Sequence, residues 1–381
     1  MTIDVVVIGA GQAGLAAAGQ LVSGGLSVGS ELLVLDANDG PGGAWRHRWD
    51  SLTLGRAHRV ADLPGLPLGE ADPNEPASRV VSDYYGRYEQ HFGLSVLRPA
   101  TVSAVRSEDG DDGPLTVYYD HAGQEHSVRA RLVISAAGTW TRPFIPRIPG
   151  DSSFNGEQLH TADFVDVEHF RGRRTVVVGG GLSAVQFLLQ LAPVTETIWA
   201  TRRPPGFTGR DFNIEWGLDV ERAVRKRTEA GLRPVSVVAA TGIPMLPDYL
   251  EGVESGVLVS RGMFDRITPT GVHFPGMSAT PADGEAELKV PESWAPFQDE
   301  TDVPVDVIFW NTGFRSELRH LAPLQLRAPG GGIQVRNEVE VPADPRVLLV
   351  GYGSSASTVG ATRAGRRAAS TALRRLGRRT N

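Results

Sequence analysis

Two glycine-rich strings in this 381-residue chain have the composition to hold a phosphate. The first, Gly9-Ala10-Gly11-Gln12-Ala13-Gly14, follows an apolar, β-branched run at residues 4–8 and precedes a helix-forming run at 15–21. In such a strand, turn and helix, Gly9 allows the tight turn and Gly11 lets backbone amides approach a pyrophosphate. Gly14 lets the helix pack close to the strand, with its N-terminus facing the anion. A second apolar run at 31–35 ends in Asp36, where a carboxylate can accept hydrogen bonds from ribose hydroxyls. Directly after it stands Gly40-Pro41-Gly42-Gly43-Ala44-Trp45-Arg46, a further glycine turn beside which a flat ring could pack. Trp49 reads equally as a ring contact or as the cover of a domain edge.

The second string, Gly179-Gly180-Gly181-Leu182-Ser183-Ala184, repeats the device between an apolar run at 174–178 and a helical run at 185–191. Ala184 takes the third glycine position, and Gly179, Gly181 and Ser183 fall where a pyrophosphate would be bound. The next strand, at 197–200, ends in Thr201-Arg202-Arg203, where the first unit ended in an acid. Two guanidinium groups there suit an adenosine 2′-phosphate, so NADPH is expected in preference to NADH. A chain with two such units can pass a hydride from one dinucleotide to another cofactor, the protein supplying orientation and electrostatics.

Between the units the chain reads Phe154-x-Gly156-x-x-x-His160-x-x-x-Phe164. This resembles the fingerprint of the class B flavoprotein monooxygenases, the group of the flavin-containing and Baeyer-Villiger monooxygenases. In that group the fingerprint stands just before the NADPH glycine loop, as His160 stands before Gly179 here. Gly42-Gly43-Ala44-Trp45, Ala137-Gly138-Thr139-Trp140 and Trp310-Asn311-Thr312-Gly313-Phe314 agree with the resemblance, and residues 351–360, from Gly351 through Thr358, resemble the family's last flavin-contacting turn and helix start.

The resemblance implies an α/β fold of two Rossmann-like dinucleotide-binding domains, with an NADPH domain at 143–303 inserted into a discontinuous FAD domain at 1–142 and 304–381. It implies that NADPH reduces FAD and that O2 adds at the flavin C4a carbon. One oxygen atom then passes to a small heteroatom-containing or carbonyl substrate. An NADPH oxidase or electron-transfer reductase without oxygen transfer is the alternative, and a cofactor-sensing regulatory protein is a third reading. The chain departs from the family after the tryptophan loop. Relatives carry an asparagine or an aspartate there, whereas residues 49–59 offer Asp50 as the near candidate, with Arg56 and His58 as polar neighbours. No catalytic side chain is assigned, and the substrate and the oligomeric state leave no mark in the sequence.

The elements that must position these residues follow from composition and length. A chain of this size is expected to form two domains. The net charge of −6 lacks the basic excess of a nucleic-acid-binding protein. The chain contains no cysteine, which removes thiolate metal sites, thiol nucleophiles and the redox-active pair of a disulfide reductase. No metal-ligand spacing or hydrolase triad stands out. No apolar run reaches the roughly 20 residues that cross a bilayer. The apolar N-terminus carries no Lys or Arg before Arg46, unlike a signal peptide, so a cytoplasmic protein is expected. Arg142-Pro143-Phe144-Ile145-Pro146 reads as a stiff hinge. The arginine-rich stretch at 363–379 reads as a solvated helix face or as a site for an anionic partner. Residues 204–300 carry no interpretable pattern.

Overall fold

The computed structural model describes residues 2–57, 60–110, 113–209, 214–234, 242–277, 288–356 and 358–378. His58 therefore lies outside the described residues. The chain divides into two compact units. The first comprises Met1–Arg142, Glu221–Val237 and Ser316–Asn381, and the second Pro143–Val220 and Val238–Arg315. Relative to the expected boundaries, the middle unit extends to Arg315 and gives up Glu221–Val237 to the first.

Unit 1 is built on strands β1 (Thr2–Ile8), β2 (Leu32–Leu35), β3 (Ala100–Ser107), β4 (Leu115–His121) and β5 (Gln124–Ser135), in the order β2-β1-β5-β4-β3. β1 pairs in parallel with both β2 and β5, and β3, β4 and β5 form an antiparallel meander. The far edge of β5 is shared. Its first half takes β4, and Val133–Ser135 take the late strand Val347–Leu349 in parallel. β1 is buried almost throughout, as a strand covered on both faces must be.

Helix α1 (Gln12–Ser23) connects β1 to β2, and α2 (Ala77–His91) brings Tyr84, Tyr85 and Tyr88 into the core beside it. The long C-terminal helix, Thr358–Arg375, lies against α1 through small residues. A Cβ on Gly365 would overlap the Ala13 carbonyl oxygen, and Ala364, Ala368 and Ala372 are fully buried. The opposite face of that helix carries the arginines. Arg363 meets Glu338, Arg375 meets Glu340, and Arg378 just beyond the helix meets Glu31. Three of the arginines expected to be solvated thus bind acids of their own unit.

Unit 2 holds a four-stranded parallel sheet of β6 (Glu157–His160), β7 (Thr175–Val178), β8 (Thr197–Ala200) and a return strand, Val307–Trp310. The return strand sits between β6 and β7, and β8 lies on the other side of β7. Helix α3 (Leu182–Leu191) makes the crossover from β7 to β8. The stretch that carried no pattern supplies the short pair Phe207–Thr208 and Ile243–Pro244, helices Ile214–Glu229 and Pro247–Glu254, and strands Arg266–Thr268 and Gly271–Phe274, which Thr301–Pro304 just beyond it completes into a three-stranded antiparallel sheet. Among the described residues, no helix is long and apolar enough to cross a membrane, and no group of His, Asp and Glu could hold a metal ion.

Candidate functional site

In both units the residues with chemical potential collect where parallel strands end. Gly9 follows β1, Asp36 follows β2, Gly138 comes shortly after β5, and Gly351 shortly after Val347–Leu349. These four strands run in one direction, so the four turns share the carboxyl edge of one sheet, the edge at which open α/β sheets take ligands. In unit 2 the same edge receives His160, Gly179, Thr201 and Asn311.

The first glycine turn is fitted atom against atom. A Cβ on Gly14 would overlap the Gly9 carbonyl oxygen, which holds α1 tightly against the turn. Gly43, at φ +53°, would bring a Cβ to 2.7 Å from the Gly11 Cα, so the second glycine turn lies directly on the first. Gly11 itself faces space, because a Cβ there would meet nothing closer than the Gly43 Cα at 3.8 Å. Helix α1 starts at this opening with no side-chain cap and no acid in its first turn. Its leading N–H groups are therefore left for a bound anion or for water. Gly138 and Gly351 also approach one another, with 4.0 Å between a Gly351 Cβ and the Gly138 Cα. Thr358 opens the C-terminal helix.

Asp36 is buried, and its carboxylate accepts from the Ala10 N–H at 2.6 Å and the Asn38 N–H at 2.8 Å. It ties the glycine turn to the end of β2, and a carboxylate with two such bonds keeps lone pairs for a ribose hydroxyl. Gln12, unremarked in the sequence, fastens the turn from its other side. Its amide donates to the Ala61 carbonyl and the Thr362 hydroxyl, each at 2.8 Å, while its oxygen accepts from the Tyr85 hydroxyl. Burial pushes the ionisation of Tyr85 far up. Trp45 is half-buried and packs against the core cluster to which Tyr85 belongs.

Beyond Trp45 lies a cluster without a clear sequence signal. The Arg48 guanidinium sits 4.1 Å over the Trp140 ring and 5.8 Å from that of Trp49. The His47 ring stacks on Trp140 at 6.2 Å. Burial lowers the Arg48 pKa to about 10, and burial followed by the Arg46 charge lowers that of His47. Asp50 turns to Arg79 in an exposed pair at 3.4 Å, and Arg56 is exposed. Among the described residues, neither side chain makes a hydrogen bond or ion pair to the glycine turns.

In unit 2, Gly179 stands at φ +143°, where a Cβ would overlap the Asn311 carbonyl oxygen, and the Trp199 indole N–H donates to the Gly179 carbonyl at 2.7 Å. Gly181 leads extended backbone into α3, which again has no side-chain cap and no acid in its first turn. Ser183 is exposed there, while Ala184 is fully buried. The second turn therefore admits the methyl group that Gly14 excludes from the first. After β8, Thr201 is buried, donates to the Arg203 carbonyl at 2.7 Å and shares a hydrogen bond of 2.7 Å with Ser260. This folds the chain so that Arg202 and Arg203 are both exposed, and neither has an ion pair among the described residues.

Each fingerprint residue holds a different joint. Phe164 packs in an aromatic cluster with Phe187 at 4.6 Å and Phe170 at 5.9 Å. A Cβ on Gly156 would overlap the Asp306 carbonyl oxygen and the Phe154 ring, so the position just before strand β6 is closed to a side chain. His160 is buried, with Nδ1 accepting from the Ala162 N–H at 3.1 Å and Nε2 donating to the Gly313 carbonyl at 3.0 Å. The Gly313 carbonyl also accepts from the Phe144 N–H at 2.9 Å. His160 therefore braces the two crossover segments, and burial lowers its pKa, which keeps the ring neutral for this pattern.

Comparison with known proteins agrees with this geometry. The family model for pyridine nucleotide-disulphide oxidoreductases matches residues 3–365. A solved flavin-containing monooxygenase from Stenotrophomonas maltophilia is 33% identical, with 98% of this chain and 99% of that chain covered and a TM-score of 0.74. The indole-3-pyruvate monooxygenase YUCCA1 of Oryza sativa subsp. japonica is 34% identical over 187 residues, which are 49% of this chain and 44% of that protein. The match thus spans less than half the length of this curated relative. A CzcO-like oxidoreductase of Geobacillus kaustophilus is 26% identical over 83% of this chain and 81% of its own. With two glycine turns on two sheet edges, no cysteine, and near-complete coverage by a flavin-containing monooxygenase, this chain belongs to the pyridine nucleotide-disulphide oxidoreductase family, in its flavin monooxygenase branch, and is an oxidoreductase.

Proposed function

We propose that the protein is an FAD- and NADPH-dependent monooxygenase that transfers one atom of O2 to a small carbonyl- or heteroatom-containing substrate. The observation that carries this reading is the pair of uncapped helices, α1 and α3, each starting at a glycine turn on the carboxyl edge of its own sheet. Helix starts with free N–H groups and no acid bind anions, and two of them fit two dinucleotides. The open face of Gly11 fits a pyrophosphate at the first turn, with Asp36 available to a ribose and Trp45 to the ring system. Arg202 and Arg203 fit a 2′-phosphate at the second turn.

Bound flavin would supply the chemistry of accepting a hydride and activating dioxygen. The chain's own part is to hold and to shelter. Gln12 and Tyr85 fasten the first turn, and His160 sets the geometry of the crossover segments without exchanging a proton. Rice and Arabidopsis relatives are named as indole-3-pyruvate monooxygenases, and a Tyria jacobaeae relative as a senecionine N-oxygenase, which supports carbonyl and amine substrates as the first to try. The test is the coupling ratio of the purified protein over a panel of ketones, 2-oxo acids, sulfides and amines. Oxygenated product in proportion to NADPH consumed is expected with at least one class. Hydrogen peroxide equal to NADPH throughout the panel would replace this reading with an NADPH oxidase.

A further inference from the structure

We propose that Trp199 is a positioning residue of the second glycine turn, holding the Gly180 N–H toward the adenosine 2′-phosphate of NADPH, an inference that rests on the NADPH reading. Its basis is a residue-by-residue match between the two turns. In the first unit Ile8 pairs with Leu35 and Val7 with Val34, and in the second Val178 pairs with Ala200 and Val177 with Trp199. The Gly9 N–H donates to the Leu35 carbonyl at 2.7 Å, and the Gly179 N–H to the Ala200 carbonyl at 3.0 Å. Ala10 and Gly180 are therefore equivalent, as are Asp36 and Thr201, and Val34 and Trp199.

The two turns use this equivalent donor differently. In the first, the Ala10 N–H goes to the Asp36 carboxylate at 2.6 Å. In the second, Thr201 turns its hydroxyl to the Arg203 carbonyl and to Ser260, and presents its methyl to the turn, 3.9 Å from where a Gly180 Cβ would stand. Gly180 is exposed, and among the described residues its N–H meets no acceptor. The acid that orients the first peptide is thus missing from the second, and Trp199 replaces it from the opposite side. Its buried indole donates to the Gly179 carbonyl at 2.7 Å, where Val34 has no donor to offer. The Gly179–Gly180 peptide is trans, and in a planar trans peptide the C=O and the N–H point opposite ways. A carbonyl tied inward to Trp199 therefore sends the Gly180 N–H outward. An acid in the Asp36 position accepts from a ribose hydroxyl, and in a site for NADPH the 2′-phosphate takes that place. The outward N–H is then a donor to the phosphate beside Arg202 and Arg203, and a hydrogen bond to a charged acceptor is stronger than one to a neutral hydroxyl.

The test is a calorimetric titration of the purified flavin-loaded protein with NADP+ and with NAD+, neither of which turns over. The unaltered protein is expected to prefer NADP+. Trp199→Phe, which keeps a buried ring and removes the N–H, is expected to bind NADP+ about tenfold more weakly while its affinity for NAD+ changes little. A merely structural role would weaken both nucleotides together, so equal weakening, or an unchanged preference in Trp199→Phe, would overturn the proposal. If Trp199→Phe does not fold, the same two titrations on protein carrying benzothienylalanine at position 199, an isostere of tryptophan without the N–H, decide in the same way. Absence of any NADP+ preference in the unaltered protein would remove the NADPH reading and the inference with it. The two failures are distinguishable, because the first leaves the preference of the unaltered protein in place.

Discussion

Each glycine turn has a position closed to a side chain and a position open to one, and the two fail differently. Gly14→Ala places a methyl group on the Gly9 carbonyl oxygen and is expected to displace α1, with a fall in stability of about 3 kcal/mol or more from overpacking and the lost turn. Gly11→Val points into open space and is expected to remove bound flavin while leaving thermal stability close to that of the flavin-free parent. Thermal unfolding and flavin absorbance, measured on both variants, separate the two effects. At the second turn, replacing Arg202 and Arg203 together by alanine is expected to raise the KM for NADPH by about tenfold to a hundredfold and that for NADH little, because hydrogen bonds to a charged group are worth about 1.5–3 kcal/mol. Equal effects on the two nucleotides would remove the 2′-phosphate role. The glycine turns and the exposed arginines after β8 were legible as local features because their spacing is local. The contacts of Gln12 and Tyr85 were not, because they depend on partners such as Ala61 and Thr362 that only the fold brings near.

Strands and helices were readable where hydrophobic runs were bounded by glycine. The runs at 4–8, 31–35, 174–178 and 197–200 became β1, β2, β7 and β8 with shifts of at most a residue or two at their ends. Residues 204–300 gave no such signal because their elements are short, several of two to four residues, and are held by contacts distant in sequence, such as Ser260 on Thr201. The arginine-rich helix was readable as a helix, but its ion pairs with Glu338 and Glu340 were not, since both acids lie in the turn before Val347–Leu349. The fingerprint acts at this scale as well. His160 joins strand β6 to the return crossover through Gly313. His160→Ala leaves the Ala162 N–H without its partner and removes one of two donors to Gly313, so a loss of about 2 kcal/mol is expected in urea unfolding, with the slope unchanged. Full stability in this variant would contradict the bracing role.

At the scale of the molecule, the division into two units was legible from two glycine turns and the proline-marked exit near residue 142, whereas the assignment of Glu221–Val237 to the first unit was not. That segment reaches back by packing Thr228 on Gly353 and by accepting a hydrogen bond at the Glu229 carbonyl from the Gln334 amide, contacts invisible to any local pattern. Two buried histidines make the stability of the molecule depend on pH. His320, bonded to the Ser135 hydroxyl at 2.9 Å, has its pKa lowered to about 4 by burial, and that of His160 is lowered for the same reason. A group depressed in the folded state binds fewer protons there than in the unfolded chain, so its contribution is present above its ordinary value of 6.5 and is lost as the pH falls toward about 4. The expected loss from His320 over that window is at most about 3 kcal/mol. The melting temperature is expected to fall between these limits, and His320→Gln to flatten part of the decline. The central claim, that the two nucleotide sites serve oxygen transfer, is tested most directly by turnover with NADPH under isotopically labelled dioxygen and mass analysis of the product. One labelled oxygen atom per product molecule is predicted, with NADPH consumed in equal amount. Unlabelled product, or labelled hydrogen peroxide accounting for all the NADPH, would contradict it.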